Sequence, residues 1–487
     1  MAREAKARNP DILLYGLLWG APGWLDGGLW SSDHVDYLVD WLDCARAQGL
    51  RIDYIGGANE SYHPPPTTEF FVALKAALRR THPDVRVVAT DSHTPPDYWW
   101  AATAMRRDPA FAAAVDVLGE HDVCGWRTGY ERCHVSPDAA AVRAAGTPLW
   151  NSEQSSQDVE AGAPALARAM NRHYIDGRVT ANVNWPAIAA FYGDTATGGT
   201  GLILADRPWS GEYVVGPSVW VDAPTTQFAQ PGWRYVDSGC GDLPGGGSHV
   251  ALRDPGTGDV TIVVETVDAS ASQCLELRLP ESAAARELTW WSTDLRSTDP
   301  DDWFVPGGVV RPTKGTYVVE VPPGHVSTFS TTTGQRRADD HRPTRTANAR
   351  LPLPYAEDFA HGTDVDAALP PYWQDLQGAF AIVPASRGRH GNALRQVVTA
   401  EPIRWHDSRL PPATLFGDPL WWGDYRVEVD VLLDDHPVEL LGRVEYYDAD
   451  CLLGYHLSVA PDGHWSLSTQ DRDTHRTVLA SGAADVR

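Results

Sequence analysis

The chain has 487 residues, 43% of them apolar, with 40 basic against 64 acidic side chains and a net charge of −24. That length carries two to four domains, and the apolar share excludes a disordered chain. The acidic surplus opposes nucleic acid and anionic membrane as electrostatic partners and favours a neutral substrate.

The chain opens on "MAREAKARNPD", a polar, helix-like segment. A signal peptide would need an apolar stretch after that basic start. No apolar run is long enough for a membrane span. Short apolar runs then alternate with helical patterns. Strands are expected over Ile12–Trp19, Ile52–Ala58, Val85–Thr90, Val115–Gly119, Pro148–Ser152 and Val179–Asn184. Helices are expected over His34–Gln48, Thr68–Arg80, Pro137–Ala145 and Ala163–Asp176. This alternation predicts a parallel sheet with helical crossovers. No glycine fingerprint follows the first strand, so a (β/α) barrel is the better reading than a dinucleotide fold. A closed barrel of this kind needs eight strands. Two leading strands are unaccounted for, which predicts two unpaired edges and marginal stability.

The barrel is expected over residues 1–230 and a β-sandwich over 231–332, where apolar and polar residues alternate between turn signals. Residues 333–353, polar and basic with prolines, read as a linker, and 354–487 as a second β-rich module.

In a barrel, carboxylates at the C-terminal tips of strands point into the mouth. Glu60 in "IGGANE" and Glu153 in "PLWNSEQSS" both stand there. Two carboxylates flanking one bond are what glycoside hydrolysis requires, at roughly 5 Å in a retaining enzyme. Asn59 could donate to a sugar hydroxyl; the alternative is a plain strand-end or helix cap. Trp19, Trp150 and Trp185, among 20 Trp, stand at strand ends and could floor a sugar site or simply pack under loops. Glu120, His121 and Asp122 could ligate a metal, but His121 reads better as a polar wall of the pocket. No GxSxG serine elbow is present, and "PGGGSH" reads as a turn rather than a phosphate loop. The six Cys show no zinc spacing; Cys124 and Cys133 are close enough to pair.

The segments "IDYIGGANE", "PLWNSEQSS", "RPWSGEYVV" and above all "PTTQFAQPGWRYV" resemble the galactocerebrosidase family of glycoside hydrolases, from Arg3 into the C-terminal module. The resemblance implies a barrel, a β-sandwich and a lectin-like β-sandwich. It implies a retaining β-galactosidase acting by double displacement, with Glu60 as acid/base, Glu153 as nucleophile and Asn59 beside the acid. Trp19, Ser156 and Trp185 match substrate-lining positions. Trp422 matches an aromatic lent by the lectin-like module, with Trp421 as rival. Asp358 matches one ligand of a structural calcium site; no cofactor is implied for catalysis.

Departures accompany the resemblance. The chain begins just before the family's third barrel strand and stops before its lectin-like module ends. A pocket Tyr aligns near Thr197, and a sandwich Arg near Glu276, with Arg278 two residues on. Cys274 matches a disulfide position whose partner aligns with Ala165. The substrate is expected to be a β-galactoside or galactolipid, with its aglycone open; the complete gene product is expected to be secreted, or cytoplasmic if the start shown is genuine. A galactan-cleaving glycosidase of the same mechanism and a non-catalytic carbohydrate-binding fragment remain alternatives.

Overall fold

A computed structural model describes residues 1–485 except 62–63, 94–97, 126–131, 156–157, 160, 191–199, 206, 282, 338–349, 361–369, 371, 387–388, 404–409, 419–420 and 449–450. Its first unit is a parallel sheet of six strands in chain order: β1 (Tyr15–Leu18), β2 (Tyr54–Ala58), β3 (Arg86–Ser92), β4 (Val117–His121), β5 (Leu149–Ser155) and β6 (Ala181–Trp185). After a first helix α1 (Ala2–Arg8), helices α2 (Ser32–Ala47) and α3 (Thr68–Thr81) follow β1 and β2. α4 (Trp100–Arg107) and α5 (Pro109–Ala114) follow β3, α6 (Pro137–Ala144) follows β4, and α7 (Ala163–Gly177) follows β5.

The helices start where the sequence supplies caps. Ser31 and Thr67 accept the N–H groups of His34 and Phe70, and Asp108 and Ser136 cap helices whose first residue is proline. Each helix turns an apolar stripe onto the sheet: Val35, Leu38 and Leu42 from α2, and Phe70, Phe71, Leu74 and Leu78 from α3. Outward strand residues such as Ile55, Leu118 and Leu149 meet them. Inward residues alternate with these. Tyr54, Val88 and Val117 pack with Tyr15 and Trp150 inside the curl of the sheet.

Among the described residues, β1 and β6 each have only one strand neighbour in this sheet. Ile12 and Leu13, just before β1, and Val183 on β6 are exposed.

A further helix, α8 (Val219–Thr226), leads to an antiparallel sheet that contains Ser248–Arg253, Val260–Glu265, His325–Ser330, Leu288–Asp294 and Val305–Val310. A separate pair, Gln273–Leu277 with Tyr317–Val321, contributes to the same core, which includes Ile262, Val264, Leu288, Tyr317 and Phe329. α7 docks this unit onto the barrel. Its Leu166 and Tyr174 pack with Val250, Leu252 and Val263, and Arg172 reaches Asp242 at 2.7 Å.

The C-terminal module carries a four-stranded antiparallel sheet of Val438–Asp448, Cys451–Val459, His464–Gln470 and Arg476–Ala483. It also touches the barrel. Ala21 and Ile403 exchange two backbone hydrogen bonds of 2.9 and 2.8 Å. Gly23 lies so close that a Cβ there would stand 1.9 Å from the Glu401 carbonyl oxygen. Among the described residues, no helix is long and apolar enough to cross a membrane.

Candidate active site

The tips of β2, β4 and β5 converge on one polar cluster. β2 is buried throughout and carries Gly56 and Gly57. At Gly56 a side chain would collide with the Asp91 carboxylate and the Tyr15 hydroxyl, at 2.6 and 2.7 Å. Glycine therefore leaves room for those two polar groups inside the curl. Beyond the strand, Asn59 N–H donates to the Leu18 carbonyl (2.8 Å) and Glu60 N–H to the Asp91 carbonyl (2.9 Å). The tip is thus tied to β1 on one side and β3 on the other. Glu60 holds a left-handed backbone, φ 41°, unusual for a residue with a side chain.

Glu153 is fixed from the β4 side. Its carbonyl accepts the Asp122 N–H at 2.9 Å, and the Gln154 amide donates to Asp122 Oδ1 at 3.0 Å. Asn151 continues this amide ladder to Asn182 at 2.9 Å.

His121, fully buried at the end of β4, stands between the two acids. Its Nδ1 lies 3.0 Å from Glu60 Oε1 and 3.9 Å from Glu153 Oε2. One carboxylate oxygen from each acid and a His121 ring nitrogen all fall within 4.8 Å of one another. Behind the ring, Nε2 faces Asp91 Oδ1 at 3.8 Å, an electrostatic approach too long for a hydrogen bond. Asp91 Oδ2 accepts the Tyr15 hydroxyl at 2.5 Å.

Burial pushes Glu153 up to about 7, against the lowering influence of His121 and with the charges of Glu60, Asp122 and Asp91 adding to the rise. Burial pulls His121 down. The neighbouring Asp91 and Glu60, with the charge of Glu153, overcome that and raise it to about 10. The carboxylates on both sides of the ring thus favour its protonated form. Three such ligand atoms would also suit a metal, which would have to displace the proton that the ring shares with Glu60.

The consecutive residues Glu120, His121 and Asp122 do not act together. Glu120 is buried against the Thr90 hydroxyl (3.4 Å), and burial raises its carboxyl well above the usual range. Asp122 takes a left-handed backbone, φ 48°, and turns to Gln154.

Asn59 is 1% exposed, and among the described residues neither its amide nitrogen nor its oxygen has a hydrogen-bond partner. Trp19 and Trp185 stack at the mouth ends of β1 and β6, with centroids 5.5 Å apart and planes 23° from parallel. Trp150 is placed apart from them. Strand alternation sends it into the interior, against Tyr54 at 4.7 Å. Ser156 and Thr197 lie outside the described residues.

Trp422 donates its indole N–H to the Leu351 carbonyl at 2.9 Å and contacts Phe416 and Tyr425 within its own module. Trp421 is half-exposed beneath the Arg350 guanidinium. Glu276 and Arg278 are exposed and face each other at 3.6 Å. Asp358 is exposed and accepts the Ala360 N–H at 2.9 Å. Cys124 and Cys133 are bonded, and Cys274 is free and exposed.

Asp91 and Tyr15 carry no motif. The one signal for Asp91 is a carboxylate ending a strand next to the one that ends in Glu60.

The profile of glycosyl hydrolase family 59 matches residues 1–227, that of the family's central domain residues 235–336, and a galactocerebrosidase C-terminal lectin domain residues 375–487. A galactocerebrosidase of Salmo salar is 31% identical over all of this chain and 74% of its own length. The chain belongs to glycosyl hydrolase family 59.

Galactocerebrosidases of Danio rerio and Homo sapiens are 31% and 32% identical over 89% and 91% of the family 59 chain. The chain spans 66% of the length of each. Among solved structures, a GH30 endoxylanase from Clostridium papyrosolvens C71 covers 68% of the chain and 82% of itself, with TM-score 0.52 and 17% identity. A glycoside hydrolase family 30 xylanase from Clostridium acetobutylicum gives 0.50 at 15% identity, over 67% and 82%. At those identities the likeness shows the fold of the family 59 chain, a (β/α)8-type barrel with β-rich units, and nothing finer.

Proposed function

We propose that this family 59 chain is a retaining β-galactosidase resembling galactosylceramidase, which releases terminal β-galactosyl groups by double displacement. The observation that supports it most is the approach of the Glu60 and Glu153 carboxylate oxygens, within 4.8 Å at one barrel mouth. So close an approach suits the spacing of a retaining pair better than the wider gap in which an inverting base holds its water. Glu60 protonates the glycosidic oxygen while Glu153 attacks the anomeric carbon. Water, deprotonated by Glu60, then releases the sugar with retained configuration.

Asn59 supports the same reading. A buried amide without a protein partner is costly, and a sugar hydroxyl would satisfy it. The Trp19–Trp185 stack offers the apolar face that a pyranose ring covers. Ser156 and Trp422 are assigned to the substrate wall on the resemblance alone, as is a structural calcium at Asp358. Asp358 belongs to no cluster of three or more His, Cys, Asp or Glu ligands among the described residues, and the double displacement makes no use of that ion. The substrate is a β-galactoside or galactolipid. The bonded Cys124–Cys133 pair supports secretion, because disulfides persist in oxidising compartments.

The test is covalent trapping with a 2-fluoro-galactoside that carries a good leaving group. Peptide mapping should find the sugar on Glu153. Labelling of another residue, or inversion at the anomeric centre of a turned-over substrate, would overturn the mechanism.

A further inference from the structure

Double displacement needs Glu153 as a carboxylate, yet burial favours its neutral form, and it sits beside another acid in the same cluster. Charging Glu153 beside Glu60 costs free energy, and a cation between them lowers that cost while Glu60 keeps the proton it delivers. Among the described residues, the ion pairs recorded for Glu60 and Glu153 are with His121 alone. The titratable groups around that ring come from four strands: Glu60 beyond β2, Asp91 on β3, Glu153 on β5, with Glu120 and Asp122 beside it on and after β4. Tyr15, on β1, holds the far oxygen of Asp91.

Resting on the double-displacement reading, we propose that His121 is the positioning residue of the carboxylate pair: as an imidazolium braced from behind by Asp91, it orients Glu60 and keeps Glu153 ionised for attack. The hydrogen-bonded Nδ1–H fixes one Glu60 oxygen. The same positive edge, 3.9 Å from Glu153, lowers the cost of charging that acid. Among the described residues, Asp91 has an oxygen without a hydrogen-bond partner, and it faces a ring nitrogen in the same condition. A carboxylate so placed favours the doubly protonated ring. His121 touches neither the reacting bond nor the leaving group in this scheme, so its contribution passes through the two acids.

Two measurements on the full chain test this. The first needs no turnover: nitrogen NMR of the histidine rings, with His121 identified by its absence in His121→Gln. Both His121 ring nitrogens should still carry protons at about pH 8, well above the ordinary histidine range near 6.5. In Asp91→Asn the same signal should titrate at lower pH, a result that stands even if His121→Gln does not fold. A neutral His121 ring at pH 7, or no histidine signal that moves in Asp91→Asn, would overturn the proposal.

The second is the pH profile of kcat/KM on an aryl galactoside whose leaving group needs no protonation. There the acid limb reports ionisation of Glu153. Loss of the His121 charge in His121→Gln should move that limb to higher pH by about one unit, a tenfold change in proton activity. A lower rate with the limb unmoved would mean a merely structural role and would overturn the proposal. If the parent chain hydrolyses no galactoside, the functional reading fails, while the NMR result still decides the charge of His121.

Discussion

The indole of Trp19 stacks on that of Trp185, 5.5 Å between centroids, and the two rings belong to opposite edges of one six-stranded sheet. The stack joins the C-terminal ends of the two edge strands. Either ring supports the position of the other. Trp185→Ala should therefore lower kcat/KM on an aryl galactoside by roughly ten- to a hundredfold, as expected for about 1.5–3 kcal/mol of aromatic contact. Trp185→Phe should recover part of that loss. Steady-state kinetics of the three proteins checks it.

Glu60→Gln should show leaving-group selectivity. Substrates with poor leaving groups need the proton that Gln cannot give, and should slow by about 100- to 10,000-fold. Activated aryl galactosides should react far better in the first step. Equal loss across a series of leaving groups would assign Glu60 another role.

Activity should fall on acidification through about pH 7. Glu153 is raised to about 7 and must be ionised to attack, so protons compete with catalysis below that point. The kcat/KM profile on an activated galactoside should bend there. A flat profile down to the ordinary carboxylate range would contradict the burial argument.

Stability should also decline in acid, for a different reason. His34 and His173 are buried, and burial lowers them to about 4 and about 3. A folded-state value below the unfolded one gives stability that is fully present above the ordinary histidine value and is lost as pH falls through the folded values. The loss is about 1.4 kcal/mol for each pH unit crossed by each histidine. Urea unfolding at a series of pH values should show this slope, and His173→Gln should flatten it.

Gly23→Ala should loosen the C-terminal module from the barrel. The added methyl would meet the Glu401 carbonyl, and backbone there has no easy way to give. A cost of about 1–3 kcal/mol is expected from such overpacking. Limited proteolysis should release the C-terminal module faster than in the parent, while the barrel fragment resists as before.

Much of the barrel was legible because each strand is a short apolar run followed by a helical stripe. α4 and α5 escaped, because Asp108-Pro109 breaks what would be one helix into two pieces too short to show a period. Of the candidate site, Glu60 and Glu153 were readable as acids at strand ends. Trp150 looked like a third mouth indole, but the period-two alternation of β5 turns it inward. His121 reads from the sequence as a wall of the pocket or, less well, as a metal ligand. Its place between the acids depends on the register shifts in the β3–β4 and β4–β5 pairings, which leave no mark in composition. Asp91 and Tyr15 come together only through Gly56, whose missing side chain makes their space.

The Ala21–Ile403 bridge ties the timing of assembly to the architecture. β2, β4 and β5 can bring the acids together as soon as the barrel collapses. The loop beside Trp19, by contrast, gains its neighbour only when a segment from the far end of the chain arrives, and such distant pairings form slowly. The seating of that loop thus depends on the C-terminal module, whereas the meeting of the acids draws on the barrel strands alone.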